Sequence, residues 1–149
     1  MADACCAFLE PIFAGAKLDV AARRVLEALQ RGGVKTGIVS NTPWGSPAAP
    51  WREELARHGL LAQVDAVVFC ADVGWRKPHP APFQRVLTHL EVPASEALFV
   101  GENPRWDVLG TESVGLHPLL LLNGSAVGST SCTVIARLDD VLSWVKVAG

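Results

Sequence analysis

Four times along the chain, a stretch with helical spacing of apolar residues gives way to a short unbroken apolar run, and this alternation restricts the fold more than any other feature. In the first unit Asp19 is placed to cap a helix in which Val20, Val25, Leu26 and Leu29 recur at helical spacing. Gly32 and Gly33 stop it, and a strand follows over about Lys35 to Ser40. "WREELARHG", 51–59, predicts a helix ended by Gly59, and "AVVFCADVG", 66–74, a buried strand running into a loop. "PAPFQRVLTHL" leads to the strand "ALFVGEN", and "RWDVLGTESVG" to "HPLLLLN". Helices alternating with continuous apolar strands imply an α/β fold, a doubly wound, Rossmann-like parallel sheet covered on both faces. "GSAVGSTSC", 124–132, reads as a flexible loop, and "RLDDVLSWVKV", 137–147, as a closing helix with Asp139 or Asp140 near its start.

With 149 residues, half of them apolar, the chain can bury one core without metal or disulfide staples. Its net charge is −2 and its 13 basic residues are scattered, so no basic stripe suggests a nucleic-acid surface. The longest apolar runs, such as "LLLL" at 119–122, fall well short of the roughly 20 residues that span a bilayer. "MADACCAFLE" carries acid where a secretory signal carries positive charge, so a cytoplasmic protein with no membrane partner is expected. Cys5, Cys6, Cys70 and Cys132 lack the paired spacing of a zinc site, and "NGS", 123–125, reads as a turn.

In sheets of this kind ligands bind beyond the carboxyl ends of the strands. The residues expected on that rim are Ser40 and Asn41 after the first strand, Asp72 and Lys77 after the second, and Glu102 and Asp107 after the third. A hydroxyl with backbone amides, a lysine and two carboxylates suit a phosphate held beside a divalent cation. The same residues also admit structural roles: Asn41 and Glu102 could cap the turns that follow, and Asp107 could favour the dipole of its helix.

Taken together, "GIVSN", "RKPHPAPF" and "LFVGENPRWDVLG" followed by "VGLHPLLL" resemble the second, third and fourth motifs of the haloacid dehalogenase-like (HAD) hydrolase superfamily, its phosphatase branch in particular. The resemblance runs from about Pro11 to the C-terminus. It implies phosphomonoester hydrolysis, with Ser40 and the Asn41 amide binding the phosphoryl group and Lys77 holding charge. Glu102 and Asp107 would then be the acidic pair that helps bind Mg²⁺. Glu102 departs from the usual aspartate.

The family's first motif, an apolar strand ending in Asp-x-Asp, supplies the nucleophile and the general acid/base, and nothing in these residues matches it. Of the acids before Ser40, which are Asp3, Glu10, Asp19 and Glu27, none has both a strand before it and a second acid two residues on. "AFLEPIFAGAKLDVAARRVLEAL" resembles the passage from cap domain back to core. Residues 1–16 are therefore expected to be a remnant of the cap or connecting segment and 17–149 the core, with the central first strand and most of the cap absent. Two functions are open on this reading. One is a hydrolase of small phosphorylated molecules, weak or inactive alone and binding Mg²⁺ weakly or not at all. The other is a non-catalytic phosphate-binding or interaction module, a pseudoenzyme or half of a split enzyme. Loss of a central strand exposes two sheet edges, which invites a homo-oligomer, a complementing partner chain, direct closure, or "ACCAFL" folding in as a substitute. A signalling receiver fits less well, because the acids follow the wrong strand.

Overall fold

The computed structural model describes residues 2–122 and 132–145. Helices α1 (Ala2–Gly15) and α2 (Ala22–Arg31) lead into strand β1 (Gly37–Ser40), helix α3 (Ala48–Arg57) and strand β2 (Ala66–Phe69). The short helix α4 (Cys70–Val73), helix α5 (Pro80–Leu90) and strand β3 (Leu98–Gly101) follow. A π-helical turn at Pro104–Val108 then runs directly into helix α6 (Leu109–Glu112), strand β4 (His117–Leu121), strand β5 (Thr133–Ile135) and a 3₁₀ turn at Leu138–Ser143.

Every strand pairing is parallel, as α/β crossovers require. The strands make two ladders among the described residues: β1 beside β2, and β3-β4-β5 in that order. β1 and β3 do not close up against each other, and "ACCAFL" lies within α1. Among the described residues, then, neither direct closure of these strands nor substitution by "ACCAFL" is found.

The core packs on two sides of the strands, and the first of them joins the ladders. On one side α5 places Phe83, Val86 and Leu90 against Val39, Ala66 and Val68, and Phe83 meets Phe99 of β3 edge to face at 5.1 Å between ring centroids. On the other, Leu98 and Val100 pack toward Leu119, Ile135 and Val141. The alternation of Phe99 with its neighbours Leu98 and Val100 shows β3 covered on both faces, as a continuous apolar strand of a parallel sheet should be. Helix α2 buries Val25 and Leu29 against Leu138 and Leu142, and Arg24 grips Asp139 at 2.6 and 2.8 Å over the same contact.

Several expectations need correction. Val20 is almost fully exposed and belongs to a turn; Ala21 and Ala22 are the buried residues that open the helical stripe. Asp19 accepts the Ala21 N–H at 2.7 Å, so it caps the turn that precedes α2. The loop after β2 begins as α4. The closing element is a 3₁₀ turn over 138–143, preceded by a strand, β5, that its three residues did not announce. The predicted loop at 124–132 and the turn at 123–125 fall, Cys132 apart, outside the described residues.

Gly110 is required by close packing. A Cβ there would lie 2.5 Å from Cε2 of Phe83 and 3.1 Å from the Pro78 Cα, and Phe83 is fully buried with no room to move. Gly110→Ala is expected to lower stability by about 1–3 kcal/mol, the usual cost of overpacking, despite the better helix propensity of alanine. Urea denaturation checks this, and a midpoint at or above that of the parent would contradict it.

Candidate active site

Parallel strands bring their carboxyl ends to one edge, and a hydrogen-bonded cluster around Lys77 sits there. The Lys77 ammonium donates to the Val39 carbonyl of β1 at 3.1 Å and to Asp107 Oδ1 at 2.7 Å. Both side chains are largely buried, at 12% and 7% exposure. The ammonium also lies 5.3 Å from the centre of the Phe99 ring. A lysine so placed cannot wander, and an ammonium has three donors, of which these contacts use two.

Asn41 fixes the lysine's backbone. Its side-chain carbonyl accepts the Lys77 N–H at 2.8 Å and its amide donates to the Lys77 C=O at 3.2 Å. Lys77 then enters Pro78 through a cis peptide. Asp107 is fixed as firmly: Oδ2 accepts the backbone N–H groups of Glu102 and Asn103 at 3.1 and 3.0 Å, while Oδ1 takes the lysine. The Asp107 carboxyl reaches this position because Gly101 has no side chain, since a Cβ there would overlap the carboxyl group. Asn103 starts the π-helical turn by accepting the N–H groups of Arg105 and Trp106, both at 3.0 Å.

The structure thus brings Asn41, Lys77 and Asp107 into direct contact, with the Glu102 amide on the same carboxylate. Ser40, the last residue of β1, stands next to Asn41, and among the described residues no hydrogen bond engages its hydroxyl. Of the structural roles left open, capping falls to Asn103, while Asn41 spends its side chain on Lys77. Asp72 stands apart from the cluster, paired with Arg52 at 2.7 Å and accepting the Phe69 N–H at 2.8 Å. Burial pushes the Asp72 carboxyl up, but the Arg52 hydrogen bond, the Phe69 N–H and the nearby arginine charges together hold it below the ordinary aspartate value. Arg76 was not singled out in the sequence, yet its guanidinium donates to the Thr42 carbonyl at 2.6 Å and ties the loop after β2 to the loop after β1. Its place beside Lys77 was the available clue.

A profile for haloacid dehalogenase-like hydrolases matches residues 8–115. The chain belongs to that family. It is 34% identical over 131 residues to a phosphoglycolate phosphatase of Rhodospirillum rubrum, covering 87% of this chain and 52% of the relative. To a glyceraldehyde 3-phosphate phosphatase of Pyrococcus abyssi it is 34% identical over 95 residues, 64% of this chain and 38% of the relative. Among solved structures, a HAD phosphatase from Thermococcus onnurineus superposes with a TM-score of 0.82 at 28% identity, covering 95% of this chain and 64% of that one. This HAD-family chain spans about half the length of the curated relatives it matches.

The Mg²⁺ expected from family resemblance can be tested against the donors of this HAD-like core. Mg²⁺ favours six oxygens, several of them water, with one or two carboxylates. Both Asp107 oxygens are already committed to Lys77 and two amides, and among the described residues no three His, Cys, Asp or Glu side chains converge as a metal site. The described residues do not build a magnesium site on their own.

Asn41→Ala removes two side-chain hydrogen bonds to the Lys77 backbone. At about 0.5–1.5 kcal/mol each, the expected loss is about 2 kcal/mol in denaturant unfolding. Asn41→Asp, which keeps the acceptor for the Lys77 N–H but turns an oxygen toward the Lys77 carbonyl, should fall between. A neutral Asn41→Ala would show that the clamp does not hold the loop.

Proposed function

We propose that this HAD-family chain carries the phosphoryl-binding part of a hydrolase that acts on small phosphorylated molecules. The observation that supports this most strongly is Lys77, held by Val39, Asn41 and Asp107 at the carboxyl ends of parallel strands with one N–H to spare. In this reading a phosphoryl oxygen accepts that N–H, and others accept from the Ser40 hydroxyl and the Asn41 backbone amide. Asp107 acts by positioning the ammonium and balancing its charge, so that the lysine meets an anion without being drawn out of the site. The phosphatase relatives support a phosphomonoester as the ligand class.

Bond cleavage needs more than this. A carboxylate nucleophile must present an uncommitted oxygen to phosphorus. The 149 residues contain no Asp-x-Asp pair, and the acid on the lysine has both oxygens occupied. The chain by itself therefore binds phosphate and turns over little or not at all. Titration of ¹⁵N-labelled protein with phosphate should shift amides at 40–42 and 76–78 with millimolar affinity, about −4 kcal/mol. A phosphatase assay should give a kcat far below about 1 s⁻¹, the low end of ordinary enzymes. Absence of shifts at those residues overturns the binding role. Turnover at about 1 s⁻¹ or above, lost in Lys77→Ala, overturns the inactivity.

A second reading, that an element from outside these residues completes the site, is favoured by the two ladders. Among the described residues β1 pairs only with β2 and β3 only with β4. Unpaired strand edges readily recruit another strand, and one entering beside Lys77 could bring the missing carboxylate. Association of copies or of a partner chain would serve this. Light scattering of the purified chain at micromolar concentration should then show a dimer or larger, whereas a well-folded monomer would count against self-association.

A further inference from the structure

Each of the three loops that carry Asn41, Lys77 and Asp107 also carries a tryptophan. Trp44 lies two residues past Thr42, Trp75 two before Lys77, and Trp106 one before Asp107, so the loops after β1, β2 and β3 each carry one. Their exposures are 75%, 56% and 44%. A single exposed apolar side chain needs no explanation. Three of the chain's five tryptophans, one in each loop that supplies a residue of the Lys77 cluster, do.

These loops are tied to one another. Arg76 joins the first two through the Thr42 carbonyl, Asn41 joins the first to Lys77, and Lys77 joins the second to the third through Asp107. The rings have partners too. Trp75 stacks on His79, with ring centroids 4.0 Å apart and planes within 11°, which covers one face of the indole. Trp44, in a left-handed backbone conformation, meets Phe8 edge-on at 5.1 Å. The Trp106 backbone N–H is held by Asn103, which fixes where its side chain leaves the turn. Indoles packed on a neighbour, as those of Trp44 and Trp75 are, lose little freedom when a ligand ring packs on them.

Resting on the phosphate reading above, we propose that Trp44, Trp75 and Trp106 form an aromatic rim that receives the ring of an aryl phosphomonoester whose phosphoryl group sits at Ser40, Asn41 and Lys77. The anion meets the lysine, and the ring attached to it meets indole by offset or edge-to-face packing. Compact hydroxy-acid or polyol phosphates satisfy the corner but leave the rim in water. The rim therefore selects for an aromatic group and the corner for the anion.

Non-hydrolysable probes separate the two parts. Phenylphosphonate and methylphosphonate are titrated into the whole chain, with the backbone amides and the indole N–H signals followed by NMR. Phenylphosphonate should bind about tenfold more tightly, shifting indole N–H signals together with the amides of 76–78. Trp75→Ala should abolish the preference while leaving methylphosphonate binding unchanged, and Trp44→Ala should reduce it. Equal affinity of the two probes at the Lys77 amides overturns the rim and leaves the phosphate corner standing. Indole shifts without shifts at 76–78 also overturn it, because the ring would then bind apart from the anion. Failure of both probes to bind overturns corner and rim alike.

Discussion

The ammonium of Lys77 touches the end of β1 through the Val39 carbonyl and the turn after β3 through Asp107. These strands belong to ladders that, among the described residues, share no backbone hydrogen bond with each other. Below the rim the ladders are joined by apolar packing, chiefly of α5 and the Phe83–Phe99 contact. At the rim they are joined by a charge. A pair this deeply buried gains little over a well-packed apolar substitute, but removing one partner strands the other charge and is costly, about 3–5 kcal/mol in comparable cases. Several local features fall into place around it: the bare backbone of Gly101 that admits the Asp107 carboxyl, the Asn41 clamp on the lysine backbone, and the Asn103 turn that delivers Asp107.

The same geometry separates recognition from chemistry. Of the groups that hold the lysine, only Asp107 carries a charge to balance it, and that carboxylate is occupied in doing so. On the proposed reading this corner binds the phosphoryl group, and an element lodged beside β1 or β3, which among the described residues pair only with β2 and β4, would supply the reactive group.

Much of the scaffold could be read from the sequence because its signals are local. Pro80 to Leu90 form a helix with an apolar face, and Gly59 and Gly33, both in left-handed conformation, stop the chain where their lack of a side chain allows it. Lys77, Asp107, Asn41 and Ser40 could be placed on one rim because parallel topology fixes where strand ends lie. What escaped was decided at long range. β5 is three residues long and stands by pairing with β4 and burying Ile135. Val20 matched a helical stripe but precedes the first helical turn. Asp72 shares the rim by position, yet Arg52 draws it away. The division into two ladders could not be read from any single strand, because it depends on which strands are neighbours. Asn103 and Arg76 were hidden because their work is done through backbone carbonyl and N–H groups that a sequence does not display.

The central claim is that Lys77 and Asp107 act as one unit that joins the two ladders at the rim. A double-mutant cycle with Lys77→Met and Asp107→Asn, read by urea unfolding, tests it directly. Asparagine keeps an acceptor for the Glu102 and Asn103 amides, so the cycle isolates the contact with the lysine. Coupling of about 1–3 kcal/mol is predicted, with the double variant less damaged than the sum of the singles. Effects that add to within about 0.5 kcal/mol would mean that the two side chains act independently, and the account of the rim would be contradicted.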